Sequence, residues 1–336
     1  MRDDMTRGIS VLRACAVIPR ISKNDWLASS RTSRWLIASR APVLVMTFSS
    51  AAIGGELALL NGPGDGVAWF ACLAGLLLAH AANNQLNDLT DSTLGIDRNN
   101  DFRTRYGTHV LEDGLLSPRQ LLRWIVVTAL AALAIGVFLS LRIGDAVLWL
   151  LGAGAFFLLL YTYPLKRLGL GEIAVLLVWG PLMTGGSYLA AAGTWSHWAA
   201  LVGLVGALPP TAVIFGKHID KVAADRQIGV RTLPVRIGAA HARRVVVLML
   251  GLPYVCVPLL VAFERLPWSA LIVMFALPDA ARAIRIHRAE PPAACPADYP
   301  RNVWPLWYSA CAFVHARSFG LLLLAGLLVA WITSRL

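Results

Sequence analysis

Apolar residues in this chain come in long blocks rather than at alternate positions or in narrow stripes. Each block is about as long as the roughly 20 residues a helix needs to cross a bilayer. Blocks at 35–60, 67–91, 119–141, 145–163, 171–192, 197–220, 242–263, 267–286 and 303–334 predict an all-α, polytopic membrane protein of about nine transmembrane helices. Tight turns separate them: Asn61-Gly-Pro-Gly-Asp-Gly66, Gly193-Thr-Trp-Ser196, and a stretch with Pro291, Pro292, Pro296 and Pro300. Trp35, Trp69, Trp195, Trp198, Trp268, Trp304 and Trp307 sit near block ends, where indole rings favour the membrane interface. The last block holds His315 and Arg317, which predicts either a kinked helix or a short interfacial helix leading into a span.

Composition agrees with the pattern. Of 336 residues, 57% are hydrophobic and 15% charged, well to the apolar side of a soluble domain. The net charge of +11 does not point to nucleic acid, because the cations lie between apolar blocks, where they set topology. With nine spans, Arg142, Arg265 and Arg335 fall on one side and the remainder of the 30 Lys and Arg on the other. That bias puts the N-terminus and the long loops in the cytoplasm, as in a bacterial-type inner membrane. Residues 1–34, with Arg2, Arg7, Arg13, Arg20 and Lys23, read as a flexible basic extension without a cleavable signal; 35–336 form the transmembrane domain. Cys15, Cys72, Cys256, Cys295 and Cys311 have no paired spacing and read as small apolar residues rather than metal ligands or disulfides.

Two polar segments break the apolar pattern, each where a block meets the cytoplasmic side. The first runs Asn83-Asn-Gln-Leu-Asn-Asp-Leu-Thr-Asp91 and on to Asp97. Asn84, Asn87, Asp88 and Asp91 are spaced i, i+3, i+4, i+7, which places two amides and two carboxylates on one helical stripe. Burying such a stripe is costly unless something positive meets it. Its hard oxygens suit Mg²⁺, which commonly takes one or two carboxylates together with substrate phosphate; a solvated acidic helix end is the plainer alternative. The second segment runs Lys217-His-Ile-Asp-Lys-Val-Ala-Ala-Asp225 and on through Arg226 and Arg231. Carboxylates to hold a metal, with cations alongside, suit a metal–diphosphate substrate.

These residues carry a resemblance. Asn87-Asp-x-x-Asp91-x-x-x-Gly95-x-Asp97, with the second acidic segment running into Gly229-x-Arg231-Thr-Leu, is similar to the paired motifs of the UbiA superfamily of intramembrane prenyltransferases. The likeness extends to Val110-Leu-Glu-Asp-Gly-Leu-Leu-Ser-Pro118, to Tyr161-Thr-Tyr-Pro-Leu-Lys-Arg-Leu-Gly-Leu-Gly-Glu172, and to Gly180-Pro181 with Gly186 and Tyr188. It covers nearly the whole chain beyond residue 35, and the middle segments most resemble the branch that prenylates 1,4-dihydroxy-2-naphthoate for menaquinone. One departure stands out. The family's second motif spaces its aspartates four apart, whereas here Asp220 is five before Asp225 and Lys221 stands at four. On an ideal helix five residues give an offset of about 140°, against about 40° for four. The helix therefore bulges or ends there, or Asp225 does most of the metal binding on this side.

The resemblance implies a helical bundle with a central cavity open to the cytoplasm, and a reaction between a polyprenyl diphosphate and a small aromatic acceptor. It implies Mg²⁺ held by Asn87, Asp88, Asp91 and Asp225, with Asp97 and Asp220 second, to neutralise the departing diphosphate. Asp91, Asp225 and Lys166 are the candidate catalytic residues. Arg103, Arg105, Lys166, Lys217, Lys221 and Arg231 are candidates for contact with the diphosphate, and Asn84, Tyr161, Tyr163 and His218 for lining the cavity. His109 and His315 read as structural. Other readings keep the ionisation step and change the acceptor: 4-hydroxybenzoate, another phenol, a lipid, or an internal double bond, as in a terpene cyclase. A transporter is the reading from another class. It would place acidic groups near the bilayer midplane, often on inverted repeats, whereas here they gather at one face.

Overall fold

The computed structural model describes residues 8–96 and 107–336. Among them are nine helical rods: α1 (Ala41–Asn61), α2 (Gly66–Thr93), α3 (Pro118–Ile143), α4 (Ala146–Leu165), α5 (Gly171–Ala192), α6 (His197–Asp220), α7 (Ala239–Ala262), α8 and α9 (Tyr308–Thr333). α8 is composite, a 3₁₀ stretch Trp268–Ala276 continued by an α-helix Leu277–Arg288. Eight of the nine are long and apolar enough to cross a membrane; α8 is the exception, since Asp279, Arg282, Arg285 and Arg288 charge its second half. Large apolar side chains face outward from the rods. Leu122, Val127, Trp149, Leu248 and Phe275 are all exposed, as expected where lipid rather than water surrounds a helix.

Proline and glycine shape the rods. Pro164 removes a backbone donor and α4 kinks at Tyr163, whose φ and ψ leave the helical region; Pro181 does the same at Gly180 in α5. Gly193, in the left-handed region, ends α5. The last block contains no early interfacial helix: α9 starts at Tyr308 and runs unbroken, with 289–307 forming a turn-rich connection before it.

The chain divides into two compact units. The first comprises Met1–Val45 and Leu77–Ala132. Within the stretch read as a basic extension, the described residues from 8 onward carry helices. Three short helices, Val11–Ala16, Lys23–Ala28 and Arg31–Ala38, start at Ser10, Ser22 and Ser30, each hydroxyl accepting from the backbone N–H three residues on. Ile9, Ala14, Trp26 and Ile37 are buried with Val110, Leu121 and Ile125. Trp26 stacks on Trp124 with ring centroids 6.5 Å apart, and Trp35 Nε1 donates to Thr128 Oγ1 at 3.0 Å.

The second unit comprises Met46–Leu76 and Leu133–Leu336. Ala52, Ile53, Leu57, Val202, Val257, Phe319, Leu323 and Leu327 belong to one apolar cluster, and Phe215, Ile219, Val246, Leu250 and Tyr308 to another. Small residues let α1 and α5 approach closely. Thr184 Oγ1 donates to Ser50 O at 3.0 Å, Ser187 Oγ to Ala51 O at 2.6 Å, and Trp179 Nε1 to Thr47 Oγ1 at 3.0 Å.

Candidate active site

In the first unit, the predicted stripe forms on the last turns of α2. Asn87, Asp88 and Asp91 are buried and Asn84 is half-buried. The cation that such a stripe demands is Arg40, which forms an ion pair with Asp88 Oδ1. Arg40 was not legible as a partner, since it lies 48 residues away in sequence. It sits between the short helices and α1 in the left-handed region, at φ 53°, an uncommon conformation for a non-glycine residue. The neighbouring Ser39 anchors the same turn to α2: its carbonyl accepts from Asn84 Nδ2 and its hydroxyl from Gln85 Nε2, both at 2.9 Å. Asn84 is thus occupied in holding the chain that carries Arg40. Asp97, Arg103 and Arg105 lie outside the described residues.

His109 is a turn residue: its N–H donates to Asp113 Oδ2 at 2.8 Å, and its Nδ1 accepts from Leu111 N at 3.3 Å.

The second segment settles the five-residue spacing within its own unit. The α6 helix ends at Asp220, Lys221 adopts a non-helical backbone (φ −109°, ψ 6°), and a new turn Val222–Gln227 begins. Across this break, the buried positions include His218, Lys221 and Asp225, an i, i+3, i+7 series. Lys221 Nζ lies 3.4 Å from Asp225 Oδ1. The residue one turn before Asp225 on the buried face is therefore an ammonium, not a carboxylate.

Asp220 turns to the start of α9. Oδ1 accepts from Trp307 N at 3.2 Å and Tyr308 N at 2.9 Å; Oδ2 accepts from Ser309 N at 3.1 Å and Ser309 Oγ at 2.7 Å. A carboxylate has about four acceptor positions, and all are taken. Asp220 thus caps the start of α9 from elsewhere in the chain, and a metal ion at this carboxylate would compete with these four donors. Asp225 differs, for its Oδ2 is buried without a partner. Its hard oxygen is of the kind that Mg²⁺ takes, as are those of Asn87, Asp88 and Asp91 in the first unit. Among the described residues no three His, Cys, Asp or Glu side chains converge as a ready-made metal cage. Such a cage is not required by a metal whose remaining positions are filled by phosphate and water.

Lys166, at the C-terminal end of α4, is buried, Lys217 is half-buried and Arg231 is exposed. Tyr163 is more than half exposed, with the Arg167 guanidinium 5.7 Å from its ring centroid, and Tyr161 is half-buried. His218 has a partner that the sequence did not single out. Glu172, in the first turn of α5, places Oε1 2.6 Å from His218 Nδ1, and both side chains are almost wholly buried. The signal was an acid opening an otherwise apolar block, which resembles the ordinary acidic start of a helix. His315, by contrast, is placed in the core by Tyr254, whose hydroxyl lies 2.9 Å from its Nε2.

The sequence matches the model of the UbiA prenyltransferase family over residues 47–306, most of the chain. It is 28% identical over 244 residues to the 1,4-dihydroxy-2-naphthoate octaprenyltransferase of Escherichia coli, covering 70% of this chain and 78% of that protein. It is 30% identical over 260 residues to the 2-carboxy-1,4-naphthoquinone phytyltransferase of Synechocystis, covering 75% and 81%. A solved apo structure of a UbiA homolog from Aeropyrum pernix K1 superposes with a TM-score of 0.60 at 19% identity, covering 84% of this chain and 97% of that one, a likeness of fold. The chain belongs to the UbiA prenyltransferase family and is a membrane prenyltransferase.

Proposed function

We propose that this enzyme transfers a polyprenyl group from an allylic diphosphate to 1,4-dihydroxy-2-naphthoate, as a step of menaquinone biosynthesis. The observation that carries the reading is the similarity, over most of both chains, to prenyltransferases whose acceptors are named as naphthoate derivatives. Buried carboxylates and amides at the end of an apolar helix support it independently.

On this reading Asn87, Asp88, Asp91 and Asp225 hold Mg²⁺ with the diphosphate. Mg²⁺, when bound, neutralises the charge that builds on the departing diphosphate. Asp88 would hold the metal while paired with Arg40, which fixes its carboxylate in place. Lys166, Lys217, Lys221 and Arg231 add cations to the diphosphate oxygens; Arg103 and Arg105 are assigned the same role from sequence. Asp91, Asp225 and Lys166 are the residues whose loss most weakens ionisation. Helix walls in the bilayer keep water from the allylic cation, so that ring carbon rather than water traps it. Tyr161 and Tyr163 line the route to that space, and the acidic ends of α2 and α6 face the cytoplasm with the N-terminus.

The test is mass spectrometry of products from purified protein given prenyl diphosphates of several lengths and a panel of aromatic acids. The expected product is a prenylated, decarboxylated naphthoquinol. A cyclised hydrocarbon formed without acceptor, or a product with 4-hydroxybenzoate alone, would overturn the acceptor assignment.

A further inference from the structure

The pair Glu172–His218 is chemically unfinished. Nδ1 and Oε1 bond to each other, yet His218 Nε2 is buried without a partner. Leaving a buried polar atom unbonded costs about 1–3 kcal/mol, and exceptions of this kind are concentrated where a ligand or a reacting group completes them. A carboxylate accepts only, so Glu172 fixes a proton on Nδ1, and in the neutral ring the lone pair is then on Nε2. The pair thereby has the internal order of a histidine base oriented by a carboxylate.

Its neighbours leave this role to His218. On the same stretch of chain, Lys221 lies against Asp225, and Asp220 is saturated by the first residues of α9. Lys217 is a cation and cannot take a proton. Arg236, on the short helix Leu233–Ile237 that packs on α6, is exposed and donates to Arg231 O. His218 and Asp225, the latter assigned above to the metal and diphosphate, are both buried, seven residues apart across the break at Lys221.

We propose that Glu172 and His218 form a proton-transfer dyad in which His218 Nε2 takes the proton of an acceptor hydroxyl; this rests on the acceptor being a hydroxylated aromatic ring, as read above. A neutral phenol is a weak carbon nucleophile, and ionising its oxygen pushes electron density into the ring. The acceptor O–H bond breaks, its proton goes to Nε2, and its electron pair moves into the ring. The allylic C–O bond breaks, its pair leaving on the diphosphate, and the ring carbon then bonds to the allylic cation. Carbon dioxide then departs from the ring carboxylate, or, where the ring carbon bears hydrogen, that proton passes to an oxygen of the departed diphosphate; either leaves its bonding pair to restore the aromatic ring. The imidazolium returns its proton to the oxygen, so the dyad ends as it began.

The test uses full-length protein in nanodiscs, with one prenyl diphosphate, Mg²⁺ and a series of hydroxylated aromatic acceptors of graded acidity. General-base catalysis contributes about 10²–10⁴-fold. His218→Asn is expected to slow C–C bond formation roughly 100-fold on the least acidic acceptor, with the loss falling below about tenfold on acceptors already ionised at the assay pH. Glu172→Gln should show the same trend with a smaller loss, and it carries the comparison if the His218 variant does not fold. An equal loss across the series, or none, would overturn the dyad and make the pair a packing contact. Absence of any aryl product from the unmodified protein would overturn the acceptor class, and the dyad with it.

Discussion

Three residues, Asp220, Lys221 and Asp225, decide how the second acidic segment is read. Sequence shows that the two aspartates are five apart and that one of them leaves the stripe. It does not show which, because the deciding contact comes from residues 307–309, some 87 positions later. The backbone N–H groups at the start of α9 need acceptors and favour a negative charge, and Asp220 supplies both. Asp220→Asn should therefore destabilise the protein, by about 1–3 kcal/mol on the usual cost of lost buried hydrogen bonds. Thermal unfolding in detergent measures this, and Mg²⁺-dependent diphosphate release should persist in the folded fraction. Unchanged stability with lost Mg²⁺ dependence would return Asp220 to the metal. Asp91 was legible because its stripe lies within one unbroken helix. Glu172 was not, because an acid at a helix start has an ordinary local explanation, and its partner His218 is 46 residues away.

At the scale of elements, long apolar blocks made the rods legible; the kinks beside Pro164 in α4 and Pro181 in α5 came from the structure. Packing was less legible. Gly54 of α1 lies so close to α5 that a Cβ added there would stand 2.2 Å from the Thr184 carbonyl oxygen, which cannot yield without moving the helix. Gly54→Val is expected to cost more than about 2 kcal/mol, in the range of overpacked cores. A lowered unfolding temperature, with little folded protein recovered, is the outcome to look for; wild-type stability would mean that α1 and α5 are not in close contact. The short helices of 8–38 were hidden by their length, since 6 to 8 residues with cations interspersed form no long apolar block. Their signals were local: Ser10, Ser22 and Ser30 at cap positions, Asp25 in a first turn, and Trp26 as a large apolar residue in a charged stretch.

At the scale of the whole molecule, the eight apolar spans among the described residues and their exposed lipid-facing side chains make an integral membrane protein, and the family match makes it a prenyltransferase. Composition could exclude a soluble fold but carried no chemistry. The polar segments carried it, because carboxylates within otherwise apolar helices are expensive and are retained for a use. The acceptor enters through its ring chemistry, which no spacing of residues encodes. The central claim is that the acidic stripe of α2 serves Mg²⁺-dependent ionisation of an allylic diphosphate. The measurement closest to that claim is diphosphate release by purified protein, with and without Mg²⁺, for the unmodified chain and for Asp91→Ala. Release is predicted to require Mg²⁺ and to be abolished by the substitution while the fold persists. Undiminished release from Asp91→Ala, or release equally fast after chelation, would contradict that claim.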